Sequence, residues 1–437
     1  MQVILLAAWT SSRMQPLSDK SLLKICWKSI IQHQVETIQE AWLNEIVFVC
    51  NDKNISDIKK IFLEKWKFSK LKPEFVIQEN QENWMKWAIE SCENIIKKDV
   101  FIISSNDIVE KSIFEEISKT SQKWEDFWII CWKVVDNYFP GWYISMDKNW
   151  YLNDIVEKPW EWNEPSNKIN LVLHYWKNFE TFNKKLKSFH NSTDDAYELC
   201  IKFFAQEKCE KIKIIDYKGF WQAIKYPWHL FILNKYFLNK QKNIKSFFKK
   251  SWNLISKEAK ISKSAILKGE WIVVEKWVQI FENSVIQGPA YIWKNSIIWN
   301  NSFIREVSIW ENCIVWFSTE IARTLIQDNV NFHKNYIWDS IIDSNVNIWG
   351  WTITWNLRLD KKNIYVEIKW IKINSWMEKI WWIIWKNCNL WINLSINPWI
   401  KIWENSMITW GLPIINNVDK NSFITKNVEI IRKTNLA

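Results

Sequence analysis

The sequence predicts two folds in series: a doubly wound α/β sheet to about residue 228, then a parallel β-helix of hexapeptide repeats from about residue 256. Three observations carry this. Short β-rich apolar runs alternate with helical stretches through the first half. Beyond about residue 256 the aliphatic period becomes six. The length of 437 residues suits two or three domains rather than one.

In the first half the predicted strands are Val3–Ala8, Glu45–Cys50, Phe75–Ile77, Val100–Ser104 and Phe127–Cys131. Helical patterns such as Ser29–Ala41 and Ile55–Lys65 lie between them. Strand–helix alternation is the pattern of a sheet covered on both faces. The segment HLFILNKYFLNKQKNIKSFFKK is amphipathic and reads as a helical linker, so the domains fall at 1–228, 229–255 and 256–437. In the last of these, Ile384, Leu390, Ile396, Ile402 and Ile408 stand six apart. So do Ile292, Ile298 and Ile304, and after a one-residue slip Ile309, Val315 and Ile321. A helix period of 3.6 cannot reproduce a strict six, whereas a parallel β-helix needs one inward aliphatic residue per face.

Composition narrows the function classes. No apolar run reaches the roughly 18 residues of a membrane helix, and MQVILLAAW lacks the basic flank of a signal peptide. The eight cysteines are scattered without CxxC spacing, which fits a reducing cytoplasm rather than a disulfide scaffold. The net charge of +10 is spread along the chain. Diffuse lysine reads as a solvated surface that suits anionic substrates, with neither nucleic acid nor membrane as a partner.

One feature of the composition is abnormal: 36 Trp against 6 Gly. Their sum, 42, would be a normal or slightly high glycine count against an ordinary share of roughly 7%. Trp349 and Trp351 flank Gly350, and Trp142 follows Pro140-Gly141, places that suit glycine. Trp also follows many hexapeptide aliphatics, at 293, 299, 310, 316, 385, 391 and 403. Some bacterial lineages read UGA as glycine, and translating that codon as Trp produces this pattern. Most of these tryptophans are therefore expected to be glycine in the native protein. Trp221 and Trp228, in GFWQAIKYPWHL, read as true aromatics. The competing reading is a Trp-rich protein such as a carbohydrate binder.

The motifs carry chemistry. LAAWTSSRMQPLSDKSLLKI, with Trp9 as Gly, resembles the signature loop of the sugar nucleotidyltransferase family. A small-residue loop after a strand brings backbone N–H groups to a triphosphate. By that resemblance Ala7, Ala8 and Trp9 bind nucleotide, while Arg13 and Lys20 are catalytic cations. Ser11, Ser12, Asp19 and Ser21 depart from the family pattern. VIQENQENWMKWAIES resembles the base-recognition stretch, which assigns Gln78, Gln81 and Trp84 to the nucleotide, though Glu79 holds the usual Gln place. DVFIISSND ends a strand in Asp107, which the resemblance makes the Mg²⁺ ligand, with Asn106 in the place of Gly. A helix N-cap is the alternative role for Asp107. IVEKPWEWNEPSNKINLVLHYW resembles the sugar-phosphate region, with Glu157 and Asn170 for the sugar and Lys158 for its phosphate. Val172 replaces a family Gly, and Ala223 stands where a second Asp or Asn often completes the metal site.

NFHKNYIWDSIIDSNVNIWGWTITWNLRLD resembles the acetyltransferase half of the bifunctional N-acetylglucosamine-1-phosphate uridyltransferase/glucosamine-1-phosphate acetyltransferase family. The resemblance covers essentially the whole chain. It implies a Rossmann-like first domain and a left-handed β-helix assembled as a homotrimer. It implies His333 as the base on the substrate amine. Arg305, Tyr336 and Asn347 would hold the sugar phosphate, Asn356 would position the reactants, and Gly350 would admit acetyl-CoA. Ala322 occupies the place of a family phosphate-binding Lys, with Arg323 beside it. The implied chemistry joins UTP or dTTP to a sugar-1-phosphate and releases pyrophosphate, with acetyl-CoA as a second co-substrate. Two other readings stay open: a nucleotidyltransferase whose β-helix only assembles subunits, and a non-catalytic regulatory homologue.

Overall fold

The computed structural model describes the chain apart from residues 10–11, 16, 18, 64–67, 79–83, 124–127, 136–137, 161, 190–194, 207–210, 241–252, 356, 369–370, 380–381 and 427–437. Packing divides it into two compact units. The first comprises Met1–Ser11, Asp19–Leu23 and Ser29–Ile224. The second comprises Ser12–Ser18, Lys24–Lys28 and Lys225–Ala437.

The strands of the first unit are β1 (Gln2–Leu6), β2 (Glu45–Cys50), β3 (Lys72–Ile77), β4 (Val100–Ser104), β5 (Asp107–Val109), β6 (Trp128–Val134), β7 (Trp142–Met146), β8 (Leu152–Glu157), β9 (Lys168–Trp176), β10 (Ile212–Asp216) and β11 (Trp221–Ala223). Its helices are α1 (Ile30–Glu40), α2 (Ile55–Leu63), α3 (Trp84–Glu90), α4 (Ser112–Lys123), α5 (Phe179–Ser188) and α6 (Ala196–Gln206). β1 lies between β2 and β4, parallel to both, and β3 extends the sheet beyond β2. On the other side β9 runs antiparallel to β4, and β6 antiparallel to β9. The sheet is therefore mixed: its first four strands are parallel, and beyond the antiparallel β9 the strand β10 runs parallel to β6.

Period-2 alternation sorts the side chains between two cores. Val3, Leu5, Phe101 and Ile103 pack under α1, α2 and α4. Ile4, Leu6, Val100 and Ile102 pack under α3, α5 and α6. α1 starts at Ser29, whose backbone N–H donates to Gln32 Oε1 at 3.0 Å, half of a capping box. The strand order reverses at the C-terminal end of β1, where open α/β sheets form a ligand crevice.

The long segment of the second unit, from Lys225, runs into a helix, His229–Lys240, inside the expected linker; residues 241–252 of that linker lie outside the described ones. It continues as a left-handed parallel β-helix whose three sheets hold eight, nine and eight strands among the described residues. Strictly in-register ladders stack one aliphatic residue per face. On one face the stack is Ile280, Ile298, Val315, Phe332, Ile348, Leu390 and Ile408. All are enclosed, and each contributes about 1.5–3 kcal/mol of burial. Between Trp355 and Trp382, which still bond to the neighbouring coils, the described chain carries an antiparallel pair outside the solenoid ladders, Tyr365–Ile368 against Ile371–Asn374. The ladder passes over this excursion without a break, pairing Ile341 with Ile383.

The corners of the β-helix demand left-handed backbone. Asn312, Asn329, Asn345, Asn387, Asn405 and Asn421 form one corner column, all with φ between 57° and 61°. Each Asn Nδ2 donates to the next Oδ1 at 3.0–3.2 Å. Asn tolerates this region; bulky residues do not. Among the described residues eight tryptophans nevertheless occupy it: 42, 150, 162, 271, 277, 351, 376 and 399. The indole N–H groups of Trp132, Trp310, Trp382 and Trp399 are buried without a partner, a cost of about 1–3 kcal/mol each. Trp176 differs: it is fully enclosed, stacks on Phe182 at 4.5 Å, and donates its N–H to Tyr197 Oη at 3.1 Å.

Candidate active sites

The first site lies at the strand-order reversal. The loop after β1 is held from below by two buried asparagines. Asn51 Nδ2 donates to Ala8 O at 3.1 Å, and Asn54 Nδ2 donates to Ala7 O at 2.9 Å. Asn54 Nδ2 also donates to Asp19 Oδ2 at 2.8 Å, while Asp19 Oδ1 accepts from Ser21 N and Oγ. Asp19, a departure from the family pattern, thus ties Lys20's turn to the loop. Lys20 Nζ donates to Ile224 O at 2.7 Å. Gln78 follows β3, its N–H bonded to Cys50 O at 2.9 Å and its side chain buried. Gln81 lies outside the described residues, and Trp84 is the first residue of α3, its side chain likewise outside them. Arg13 sits in a single 3-10 turn, Ser12–Met14, which counts with the second unit.

Asp107 begins β5, a strand that pairs with β11. The next helix starts only at Ser112, so the N-cap role falls away. Its carboxylate Oδ1 accepts from Trp221 Nε1 at 2.7 Å, and Gln34 Nε2 holds its backbone carbonyl at 2.7 Å. Ala223 is its direct cross-strand partner. Among the described residues no group of three His, Cys, Asp or Glu forms a metal cluster. A single carboxylate still fits Mg²⁺, which typically takes one or two carboxylates and fills its shell with phosphate oxygens and water.

A second cluster surrounds the strands β7, β8 and β9. Glu157 pairs with Trp142, and Lys158 N donates to Gly141 O at 2.9 Å. The Lys158 ammonium is ion-paired to Glu157. Asn170, on β9, is buried, and its Oδ1 meets His174 Nε2 at 3.1 Å. Glu198, at the start of α6, is enclosed nearby. Burial pushes its carboxyl up to about 8, Glu157 and Asp195 add to the rise, and Lys158 opposes it.

In the second unit, His333 stands at a corner of the β-helix inside a column of stacked rings. Trp316 lies 5.7 Å away on one side and Trp349 4.9 Å on the other. His333 Nε2 meets Asn347 Oδ1 at 3.2 Å. Burial pushes the imidazole below its ordinary range, and the Asn347 bond opposes this. Asn335 fixes the loop: its Oδ1 accepts from His333 N at 2.6 Å and its Nδ2 donates to Trp349 O at 2.9 Å. A Cβ on Gly350 would stand 3.2 Å from His333 O, so this approach favours glycine. Arg305 and Ala322 are ladder neighbours, as are Glu320 and Tyr336. Arg305 lies over the Trp338 ring at 4.6 Å, with its buried Nε unpartnered. Arg323 is committed to Asp339 through two bonds of 2.6 and 2.8 Å, so it does not simply replace a Lys at 322. Asn356 lies outside the described residues.

The family of nucleotidyl transferases matches residues 2–224. The chain belongs to that family. Beyond the nucleotidyl transferase unit the similarity runs on. The chain is 30% identical to the bifunctional protein GlmU of Methanococcus aeolicus, covering 99% of each. It is 29% identical to that of Methanococcus maripaludis, over 99% of this chain and 98% of the relative. It is 27% identical to a bifunctional sugar-1-phosphate nucleotidylyltransferase/acetyltransferase of Sulfurisphaera tokodaii, covering 97% and 99%. Among the residues holding these sites, Asn51, Asn54, His174, Glu198 and Asn335 escape sequence reasoning. Only the NDKN spacing of the first two hinted at a polar turn after β2.

Proposed function

We propose that the chain transfers a nucleotidyl group from UTP or dTTP to a sugar-1-phosphate, and acetylates glucosamine-1-phosphate from acetyl-CoA in its β-helix. With UTP the product of both steps is UDP-N-acetylglucosamine. The observation that carries this is full-length similarity to bifunctional relatives, with a family-matched nucleotide loop in one unit and a base in the other. No described helix is long and apolar enough to cross a membrane, in keeping with a cytoplasmic enzyme. Assembly as a homotrimer through flat β-helix faces belongs to the same reading.

In the first reaction a phosphate oxygen of the sugar-1-phosphate bonds to the α-phosphorus, and the bond to the bridging oxygen breaks, releasing pyrophosphate. In the loop Ala7–Trp9 the main-chain N–H groups of Ala8 and Trp9 cradle the triphosphate, that of Ala7 being held by Val49 O at 2.8 Å; Lys20 and Arg13 offset its charge, and Lys158 holds the sugar phosphate. Mg²⁺ at Asp107 supplies further charge neutralisation when bound. Glu157 and Asn170 orient the sugar, and Gln78 faces the base. In the second reaction the substrate amine attacks the thioester carbonyl, His333 takes the amine proton, and the thiol of CoA leaves. Arg305, Tyr336 and Asn347 hold the phosphate. The same reading takes the left-handed tryptophans, and Trp349 beside His333, as glycine.

Pyrophosphate release from UTP with N-acetylglucosamine-1-phosphate, and CoA release with glucosamine-1-phosphate, test the two halves. Pyrophosphate without CoA release selects the reading in which the β-helix only assembles subunits, which Ala322 favours. Neither product selects a regulatory homologue, which Ala223 favours.

A further inference from the structure

On the sugar-facing strand β9, one buried histidine links a tyrosine to the amide that the proposed function assigns to the sugar. His174 is fully enclosed. Its Nδ1 lies 2.6 Å from Tyr197 Oη, and its Nε2 lies 3.1 Å from Asn170 Oδ1. The imidazole stacks on the Tyr197 ring, 5.6 Å away at 17°. Tyr197 Oη accepts from Trp176 Nε1 at 3.1 Å.

These contacts run in one direction. An indole N–H can only donate. Tyr197 Oη, accepting from it, turns its own proton to His174 Nδ1. Nδ1 then accepts, so the ring proton of the neutral imidazole sits on Nε2 and is donated to Asn170 Oδ1. That leaves the Asn170 Nδ2 amine with both hydrogens, and no described residue accepts from it. Burial supports the neutral ring, pushing His174 down to about 3, while a hydrogen bond of the ring to the Leu171 backbone carbonyl opposes it. Trp176 has the surroundings of a genuine tryptophan, unlike those with positive φ.

We propose that His174 is a positioning residue that locks the Asn170 amide with its NH₂ turned to the sugar, so that this subsite reads an acceptor oxygen. The reading rests on the proposed nucleotidyl transfer. A hydroxyl or acetamido oxygen satisfies the amide; a substituent that can only donate, such as an ammonium, does not. The subsite therefore favours an N-acetylated over a free-amino sugar phosphate.

His174→Phe removes both ring bonds while keeping the volume. His174→Gln keeps one N–H and one acceptor. With UTP and N-acetylglucosamine-1-phosphate, His174→Phe is expected to raise KM for the sugar phosphate about tenfold, a change typical of one lost hydrogen bond. KM for UTP and kcat stay within about twofold. His174→Gln recovers most of the loss. Equal rises in both KM values, or no rescue by Gln in a folded variant, overturn the proposal. A ¹⁵N-histidine NMR spectrum of the full chain reads the tautomer without any turnover. A ring protonated on Nε2 and not titrating above pH 5 supports the relay even if wild type releases no pyrophosphate, which would instead count against the proposed function. A ring protonated on Nδ1, or titrating near pH 6.5, overturns it.

Discussion

Asp107 and Ala223 face each other directly across the two-stranded antiparallel ribbon of β5 and β11. In such a pair the Cβ atoms stand about 4.5–5.5 Å apart, close enough for two carboxylates to share one cation. This chain offers one. Asp107→Ala is expected to remove pyrophosphate release while leaving CoA release intact, because His333 lies in the other unit. Parallel loss of both activities in a folded variant would contradict the modular reading.

Ala223→Asp should complete the pair. The expected outcome is a fall of about tenfold in the Mg²⁺ concentration that gives half-maximal pyrophosphate release. Direct titration of Mn²⁺ by calorimetry, without nucleotide, checks the same point independently of turnover. An unchanged metal requirement would show that β11 does not border the metal.

His333→Ala is expected to lower CoA release by about 10²–10⁴-fold with pyrophosphate release unaffected. The base must be neutral to act. Since burial lowers its affinity for protons, the acid limb of the rate profile should lie below about pH 6.5. A limb above that value would mean that another group titrates.

Much of the fold is legible in the sequence because its periods are physical. A six-residue aliphatic repeat can only mean one inward side chain per β-helix face, and β1, β2 and β4 stand where apolar runs foretold. Asp107 was ambiguous between a ligand and a helix cap, since the three-residue strand β5 is too short to carry a period. The supports of the sites were illegible. Asn54 reaches Ala7 and Asp19, and Asn335 reaches Trp349, through side-chain bonds between segments far apart in the chain. Such bonds leave no periodic trace. The glycine reading of tryptophan was legible from composition, and the backbone at Trp277 and Trp351 now gives it a conformational basis.

That basis sorts the tryptophans. Peptide mass spectrometry of protein from its native host is expected to find glycine at 42, 150, 162, 271, 277, 351, 376 and 399, where φ is positive. It is expected to find tryptophan at 176, 221 and 228. Protein carrying glycine at the first set should also be more soluble than the chain as written, because Trp42 and Trp162 are more than four-fifths exposed. Tryptophan recovered at all eight positions would refute the reassignment.

Lys401 provides a pH test of the β-helix. It is buried, with its ammonium bonded to Glu367 O at 2.9 Å, and burial lowers it from 10.5 to about 8 while Glu367 opposes. The folded state therefore binds fewer protons than the unfolded state between these values, and stability should rise with pH across that window. Below about pH 8 the full penalty applies, up to roughly 3 kcal/mol. Thermal unfolding of the full chain from pH 7.5 to 10 should show the rise, and Lys401→Met should flatten it.

The antiparallel pair Tyr365–Asn374 is inserted in the chain between strands ending at Thr354 and beginning at Ile383, a corner that residues 339–340 turn one rung earlier, between strands ending at Trp338 and beginning at Ile341. The solenoid above and below already closes over them, through Ile341 to Ile383 and Asn345 to Asn387. In a repeat fold whose stability is a sum over adjacent rungs, this makes the corner a socket. Chain can be added, shortened or exchanged there while the neighbouring coils keep their register. Lys401 is tied to the hairpin strand through the Glu367 carbonyl, a bond it loses if the hairpin is cut away. A variant with a short Gly/Asn corner in place of the excursion should keep its coils, hydrate Lys401, and return that ammonium toward its ordinary basicity. The β-helix thus separates inheritance of its architecture from inheritance of what it carries.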